Sequence, residues 1–186
     1  MTLHRLTMIG VTLSLMSLAA CVGNSYTEKI PGSYGSSYKR ASEALRARDF
    51  DRAREQYAFA ASSGHPKAMI AYGRLFVKGQ GVDVDPVRAL ALFKGAYDKN
   101  SPMKSRAALE LGQLLMKGGG GPSGTVHQDE ARARDLLMEA FENGELRAAT
   151  SLARMYEQGL GVERDLAVAV DYYQRAPASD AYAARN

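Results

Sequence analysis

The sequence predicts an all-α protein built as a solenoid of stacked helix-turn-helix repeats. Nine positions within residues 64–100 recur in the same order and spacing within residues 148–176, seven of them with the same residue. Another copy lies between these two, with its two halves moved apart by inserted residues. Repeats of about 30 to 45 residues are typical of solenoids, in which each unit buries its apolar face against its neighbours. The nine positions of the first copy are Ala68, Gly73, Gly79, Gly81, Val82, Asp85, Ala89, Phe93 and Ala96.

The N-terminus has the character of a lipoprotein signal. His4 and Arg5 precede an apolar run over residues 8–20, which carries no charge. A membrane-spanning helix needs roughly 20 apolar residues, so this shorter run predicts a signal peptide over residues 1–20. Its last three residues and Cys21 resemble a bacterial lipobox, which implies a diacylglycerol on the Cys21 sulfur, cleavage before Cys21 and acylation of the new amino group. The alternative is an ordinary secretory signal with an accidental cysteine.

Residues 21–37 are expected to tether the folded part to that anchor. They are rich in Gly, Ser and Tyr and show no helical period. A flexible chain of this length holds a domain about 20 Å from its anchor, at roughly 5–6 Å × √n. The alternative is that Tyr26, Tyr34 and Tyr38 pack on the first helix. Val22 after the lipidated residue resembles an outer-membrane sorting signal, and two or more acyl chains anchor a protein stably.

The helical period begins at Tyr38 and predicts four helix pairs within residues 38–176. In the first pair, Ala41 and Ala44 share a face, and a tight turn follows at residues 48–51. The later pairs are expected at 66–78 with 85–98, at 103–117 with 128–143, and at 145–158 with 165–176. The middle copy gains three residues near 103–105 and five near 122–126, and we interpret the second insertion as a lengthened turn. Residues 177–186 have little to bury and are expected to fray.

Capping chemistry supports these boundaries. An aspartate at the start of each later second helix accepts bonds from unpaired backbone N–H groups, at Asp85, Asp129 and Asp165. First helices are expected to end with positive φ at Gly79 and Gly159. Second helices are expected to end in the same way at Gly64, Asn100 and Gly144. The small residues Ala68, Gly73 and Ala89 are expected where helices cross, because axes 8–10 Å apart leave no room for branched side chains.

The spacing of the last copy matches a known repeat. Its matching residues are Ala148, Ala153, Met155, Tyr156, Gly159, Gly161, Val162, Asp165, Ala169, Tyr173 and Ala176. This pattern resembles the Sel1-like repeat, and the first helix pair resembles a tetratricopeptide unit. The resemblance implies a right-handed α-solenoid, one tetratricopeptide-like unit plus three Sel1-like repeats, that binds proteins and is not an enzyme.

A second resemblance concerns the lipobox and the segments 107–144 and 152–156. They are similar to the outer-membrane lipoprotein of alginate-type exopolysaccharide secretion. That similarity implies a scaffold for a secretion porin and for periplasmic enzymes that modify the polymer.

The sequence contains no set of residues suited to catalysis or metal binding. After removal of residues 1–20, His65 and His127 remain, with no Cys or second His at ligand spacing, so we expect neither metal nor cofactor. Gly119 and Gly124 have the spacing of a phosphate loop, but Thr125 occupies the place of its lysine. The net charge of +4, from 24 basic and 20 acidic residues, is mild and evenly interleaved, so we expect no nucleic-acid partner. Since no catalytic set is found, we also expect no small-molecule substrate.

A groove along the first helices is the predicted binding site. Arg74, Gln113 and Arg154 occupy equivalent positions of the three repeats, as do Lys78, Lys117 and Gln158. We expect this polar, partly basic row to contact a partner segment, with Tyr72 or Met155 beneath it. The alternative is a solvated helix face.

These observations predict a lipid-anchored adaptor on the periplasmic face of the outer membrane of a bacterium. Its expected partners are envelope proteins, in polysaccharide export or in a secretion machine, and the membrane through the lipid. One alternative is an enzyme with β-lactam hydrolase-type activity, but such Sel1-like proteins resemble a cysteine-rich subgroup and Cys21 is the sole cysteine here. The other alternative is a structural lipoprotein that binds peptidoglycan, for which no aromatic or acidic sugar-binding cluster is found.

Overall fold

The computed structural model describes residues 34–178, which form eight α-helices and one short β-hairpin. Each helix packs on its neighbours in the chain, first within its pair and then against the next pair, so the predicted all-α solenoid is confirmed. The predicted signal peptide, Cys21, residues 21–33 of the predicted tether and residues 179–186 of the predicted tail lie outside the described residues. The elements are α1 Tyr34–Arg46, α2 Phe50–Ser62, α3 Pro66–Lys78, α4 Pro86–Tyr97, α5 Lys104–Lys117, β1 Gly119–Gly121, β2 Gly124–Val126, α6 Glu130–Glu142, α7 Ala148–Gln158 and α8 Leu166–Arg175.

Helix α1 begins one turn before the expected start of the solenoid. Residues 34–37, assigned to the tether by sequence, are helical because aromatic contacts hold this turn against its neighbours. The ring of Tyr34 lies 5.7 Å from that of Phe59, and the ring of Tyr38 lies 5.7 Å from that of Tyr57. Ser37, which precedes Tyr38, is fully buried. Tyr34 and Tyr38 thus belong to the first helix itself and contact the second helix, instead of packing on the first helix from a tether.

The predicted caps are confirmed at the three later second helices. Asp85 accepts a hydrogen bond from the backbone N–H of Arg88 at 3.2 Å, and Asp129 and Asp165 accept equivalent bonds at the starts of α6 and α8. Gly79 and Gly159 end α3 and α7 with φ of 65° and 73°. Such left-handed residues end helices commonly, because glycine has no Cβ to oppose positive φ.

The expectation for Asn100 is wrong. Gly64 and Gly144 take positive φ after α2 and α6, but Asn100 does not. Helix α4 ends earlier, with Asp98 in right-handed conformation and its N–H bonded to the Lys94 carbonyl. The residues inserted at this junction give the chain room to reverse through successive turns before α5. One of these turns is closed by the Ser101 N–H, which donates to the Lys99 carbonyl at 2.8 Å.

Small residues stand at contacts between helices, as predicted. Ala68 and Ala89 are fully buried. A Cβ built at Gly73 would lie 2.5 Å from Cε1 of Phe93, so only glycine admits the ring. The equivalent residue of the middle repeat, Gly112, faces Leu137 in the same manner. In these two repeats, close approach of the paired helices thus depends on a missing side chain on the first helix.

The inserted turn of the middle repeat is an ordered β-hairpin rather than an irregular loop. Gly119 pairs with Val126, and Gly121 pairs with Gly124, in an antiparallel ladder. The hairpin lies on the start of α4 in the preceding repeat, where the Ser123 hydroxyl donates to the buried carboxylate of Asp85. Burial alone would raise the pKa of Asp85, but the bonds from Ser123 and from the Arg88 N–H outweigh it and lower that pKa.

Every Sel1-like unit places a glycine against the first turn of the preceding second helix. A Cβ on Gly81 would lie 2.6 Å from Cβ of Phe50 at the start of α2. A Cβ on Gly161 would lie 2.8 Å from the carbonyl carbon of Glu130 at the start of α6. In the middle repeat the hairpin supplies the equivalent residue, Gly121. The turn of one repeat therefore covers the second helix of the repeat before it.

Replacing Gly121 with Ala is expected to destabilise the protein by about 1–3 kcal/mol, because the added Cβ overpacks a well-filled contact. That Cβ would lie 2.5 Å from the Val84 carbonyl oxygen and 2.9 Å from Cα of Asp85, and neither backbone atom moves easily. Gly120→Ala is the matched control, since a Cβ there meets only Thr125 Oγ1 at 3.6 Å. Urea unfolding of both variants measures the difference. Equal stability of the two would contradict the docking of the hairpin on α4.

Candidate functional site

The predicted groove residues lie on the first helices of the repeats, α3, α5 and α7. Lys78, Lys117 and Gln158 are exposed in the last turns of these helices. The two lysines there also complement the negative end of the helix dipole. Arg154 is exposed on α7, whereas Met155 is fully buried in the core and offers no surface to a partner. Tyr72 is half-buried, with its ring 4.9 Å from that of Phe76.

Two members of the predicted row connect successive first helices. Arg74 of α3 donates through Nε to Glu110 of α5 at 3.0 Å, and Nη2 binds the same carboxylate. Gln113 of α5 donates to the Ser151 hydroxyl of α7 at 3.1 Å. The acceptors Glu110 and Ser151 occupy equivalent positions of their repeats, as do the donors. The same pair of positions therefore links α3 to α5 by an ion pair and α5 to α7 by a neutral hydrogen bond. These links set the spacing of the first helices.

A chain of charged contacts continues from this bridge. Glu110 also lies 3.5 Å from Nε of Arg106, whose Nη1 donates to Glu145 at 3.1 Å. Glu145 in turn accepts two bonds from Arg147, at 2.8 and 3.0 Å. Glu110 and Glu145 therefore each pair with two guanidinium groups.

Burial within this chain of contacts acts differently on its two central cations. Burial opposes the charge of Arg74, but its hydrogen bond to Glu110 and the charge of that carboxylate outweigh the effect and raise the pKa of Arg74. Burial and the neighbouring charge of Arg74 lower the pKa of Arg106. The charge of Arg106 is thus less well compensated by its neighbours than that of Arg74.

A cavity of about 400 Å³ opens beside these charges, and we name it the junction cavity. It lies between α1, α3, the start of α5 and the turn before α7. Of the predicted groove residues, Arg74 lines it and the other seven do not. Its lining combines cations, a carboxylate and apolar side chains, among them Tyr38, Lys67, Ile70, Arg74, Met103, Arg106 and Glu145.

Sequence reasoning missed Lys67, Arg106 and Glu145, although the repeat alignment holds a signal for two of them. Residues 67, 106 and 147 are equivalent positions of the three repeats, and all three are basic. A basic residue that recurs near the beginning of each first helix predicts a charged surface at that end of the repeats. The carboxylates that pair with these cations follow no such period.

No metal site is found in the part of the chain that the structure describes. Within residues 34–178, no group of three or more His, Cys, Asp or Glu side chains is placed to hold a metal ion. None of the described helices has both the length and the apolar character needed to cross a membrane.

Comparison with protein families matches most of the helical region. The model of the Sel1 repeat matches residues 66–101, 105–145 and 146–176. These three matches coincide with the pairs α3–α4, α5–α6 and α7–α8, and the pair α1–α2 precedes them.

Similar proteins of known sequence are considerably longer than this chain. DAP3-binding cell death enhancer 1 of Mus musculus is 36% identical over 96 residues, which cover 52% of this chain and 17% of that protein. Alginate biosynthesis protein AlgK of Azotobacter vinelandii is 33% identical over 106 residues, which cover 56% of this chain and 21% of that protein. The chain thus spans about a fifth of the length of these curated relatives.

Solved structures show the same architecture. A protective antigen of uropathogenic Escherichia coli with an SLR fold superposes with a TM-score of 0.59 at 25% identity, covering 78% of this chain and 31% of that one. A Sel1 repeat protein from Oxalobacter formigenes superposes with a TM-score of 0.50 at 28% identity, covering 66% of this chain and 47% of that one.

Proposed function

Because this chain belongs to the Sel1 repeat family, we propose that it is a lipid-anchored scaffold that holds proteins of a bacterial cell envelope together. Sel1 repeats indicate a protein–protein interaction scaffold, and proteins of this fold are generally not catalytic. The observation that carries the proposal is the exposed polar row on the first helices, at Lys78, Lys117, Arg154 and Gln158. These side chains stand at regular spacing along the solenoid, which suits an extended partner segment.

The proposed setting is the periplasmic face of an outer membrane, in an assembly that exports a polysaccharide. The sequence supports this with the lipobox-like ending at Cys21 and with Val22 after it. Similarity to an alginate biosynthesis protein supports the export role. An acylated Cys21 and the residues up to 33 would keep the solenoid close to the membrane while leaving its surface open to partners.

Reversing charge along the exposed row is expected to weaken partner capture. The triple variant Lys78→Glu, Lys117→Glu, Arg154→Glu leaves the Arg74 bridge intact, so its helices keep their spacing. Cross-linking in living cells followed by purification of the tagged protein measures capture, with recovered partners identified by mass spectrometry. Loss of charge complementarity at an interface typically slows association by about tenfold or more.

The matched control places three charge reversals on the second helices, at Arg52→Glu, Lys94→Glu and Arg132→Glu. All three residues are exposed, one on each of α2, α4 and α6, and the net charge changes by the same amount. The proposal expects this control to capture partners like the natural protein. Unchanged capture by the first-helix variant would dismiss the row as a binding surface.

A further inference from the structure

We propose that the junction cavity binds an acidic peptide segment of a partner protein, one carboxylate together with an adjacent aliphatic side chain. The inference rests on the proposed scaffold function and names the chemistry of its partner. It places the contact at the cavity end of the first helices, a helical turn or more before the exposed row. Three features of the cavity lead to this assignment: its excess of positive charge, the buried Nε of Arg106 that lacks a hydrogen bond among the described residues, and its apolar lining residues.

The charged groups of the cavity carry an excess of positive charge. Three cationic side chains, Lys67, Arg74 and Arg106, line it with one carboxylate, Glu145. Just outside the lining, Glu110 pairs with Arg74 and Arg147 pairs with Glu145, which leaves the excess of positive charge at two. Both carboxylates are already shared between guanidinium groups. Lys67 is exposed at the rim, in the first turn of α3. An incoming carboxylate would therefore meet a surplus of donors in a partly desolvated recess, where charge-assisted hydrogen bonds are strong.

Arg106 is the group best placed to accept that carboxylate. Its side chain lines the cavity and is 26% exposed. The Nε atom is buried and, among the described residues, has no hydrogen-bond partner, with Glu110 lying 3.5 Å away. A buried donor left without a hydrogen bond is costly, so a carboxylate that Arg106 can reach while its Nη1 keeps the bond to Glu145 gains a charge-assisted hydrogen bond.

Part of the cavity lining is apolar and favours a peptide over a charged sugar. Ile70, Ala71, Pro102 and Met103 line it, and these side chains offer no hydrogen bond to the hydroxyl groups of an oligosaccharide. Tyr38 is the aromatic residue of the lining, with its ring stacked 5.7 Å from that of His65. A Glu or Asp next to a Leu or Ile in a peptide supplies both the carboxylate and the apolar contact. The flexible thioether of Met103 adapts its shape to such a side chain.

Fluorescence anisotropy with the purified full chain tests the inference. The probe is a short labelled peptide in which two Glu-Leu pairs stand between Gly-Ser ends, and its counterpart replaces both Glu residues with Lys. We expect the Glu peptide to bind, the Lys peptide not to bind, and the Glu peptide to be released as salt is raised, since the rim charges are screened. Binding of both peptides with equal affinity would overturn the assignment.

Lys67→Glu is the decisive variant. Glutamate in the first turn of α3 suits the helix dipole, so the variant should fold, which a thermal melt checks. We expect its affinity for the Glu peptide to fall about tenfold or more, because an attractive rim charge becomes repulsive. Arg132→Glu, in the first turn of α6 and equally exposed, is the matched control and should bind like the natural chain. Equal weakening in both variants, or in neither, would contradict the cavity as the binding site.

Two further measurements complete the test. Ser105→Trp places an uncharged ring in the lining and should abolish peptide binding by filling the cavity; binding that survives it overturns the proposal. A galacturonate oligosaccharide is also tested as a competitor of the Glu peptide. If it displaces the peptide from the natural chain but not from Lys67→Glu, the ligand of the cavity is a sugar acid and the peptide assignment is wrong. If Lys67→Glu fails to weaken peptide binding while the triple row variant still loses its cross-linked partners, the scaffold function stands and only the cavity assignment fails.

Discussion

Replacing Cys21 with Ser is expected to move the protein from the membrane fraction to the soluble fraction of the cell envelope. A serine hydroxyl does not receive the diacylglycerol that the lipobox-like ending implies, and each buried methylene of an acyl chain contributes about 0.8 kcal/mol of membrane affinity. Loss of two or three chains therefore removes essentially all of the anchoring. Fractionation, together with labelling by an alkyne-tagged fatty acid, measures both the lipid and its consequence.

Ser25→Ala is the matched control for this variant. It changes one hydroxyl in the same segment and leaves residues 18–21 intact, so it should stay in the membrane fraction and keep its label. An unlabelled natural protein, or a Cys21→Ser variant that still sediments with membranes, would contradict the anchor. In that event the proposals for the exposed row and the junction cavity still stand, but the proposed location fails.

Truncating Phe93 to Ala is expected to destabilise the protein by about 3–5 kcal/mol, the range for loss of a buried aromatic ring. Phe93 is 1% exposed and fills the space left by Gly73 on the facing helix. The resulting cavity would lie between α3 and α4, and its effect reaches the next repeat because stacked repeats stabilise one another. Urea unfolding followed by circular dichroism gives the free energy.

Tyr173→Ala is the matched control, since it truncates the aromatic residue at the equivalent position of the last repeat. Tyr173 is only half-buried, and its hydroxyl donates to Glu157 at 2.9 Å on an exposed surface. Its truncation is expected to destabilise the protein by about 1 kcal/mol. An equal loss of unfolding free energy in both variants would contradict the difference in burial between Phe93 and Tyr173.

Sequence periodicity predicted the helices because the residues that recur are those that packing and capping require. Asp85 and Gly79 act within one or two turns of their own backbone, so their effect is visible in a single repeat. The hairpin at residues 119–126 was not predicted as strand, because glycine-rich residues carry little preference for it. Its order comes from contacts with Asp85 and Pro86, which belong to the preceding repeat.

The candidate site was predicted less completely, for a similar reason. The row from Lys78 to Gln158 follows from repeat alignment, but alignment does not reveal which side chains are used between repeats. Arg74 and Gln113 were expected to face a partner, and the structure shows them bridging successive helices. The junction cavity depends on residues from four separate parts of the chain. No local pattern brings Tyr38 and Glu145 together.

The glycine of each repeat, set against the helix start of the one before, gives the molecule a polarity. Among the described second helices, α2, α4 and α6 each have their first turn covered by the glycine turn of the following repeat. The last one, α8, does not, and Leu166 at its start is 53% exposed. A chain that crosses a membrane with its N-terminus leading would finish each layer only when the following layer has emerged. If the chain is exported as proposed, each repeat would therefore complete its packing only after the next repeat has crossed the membrane.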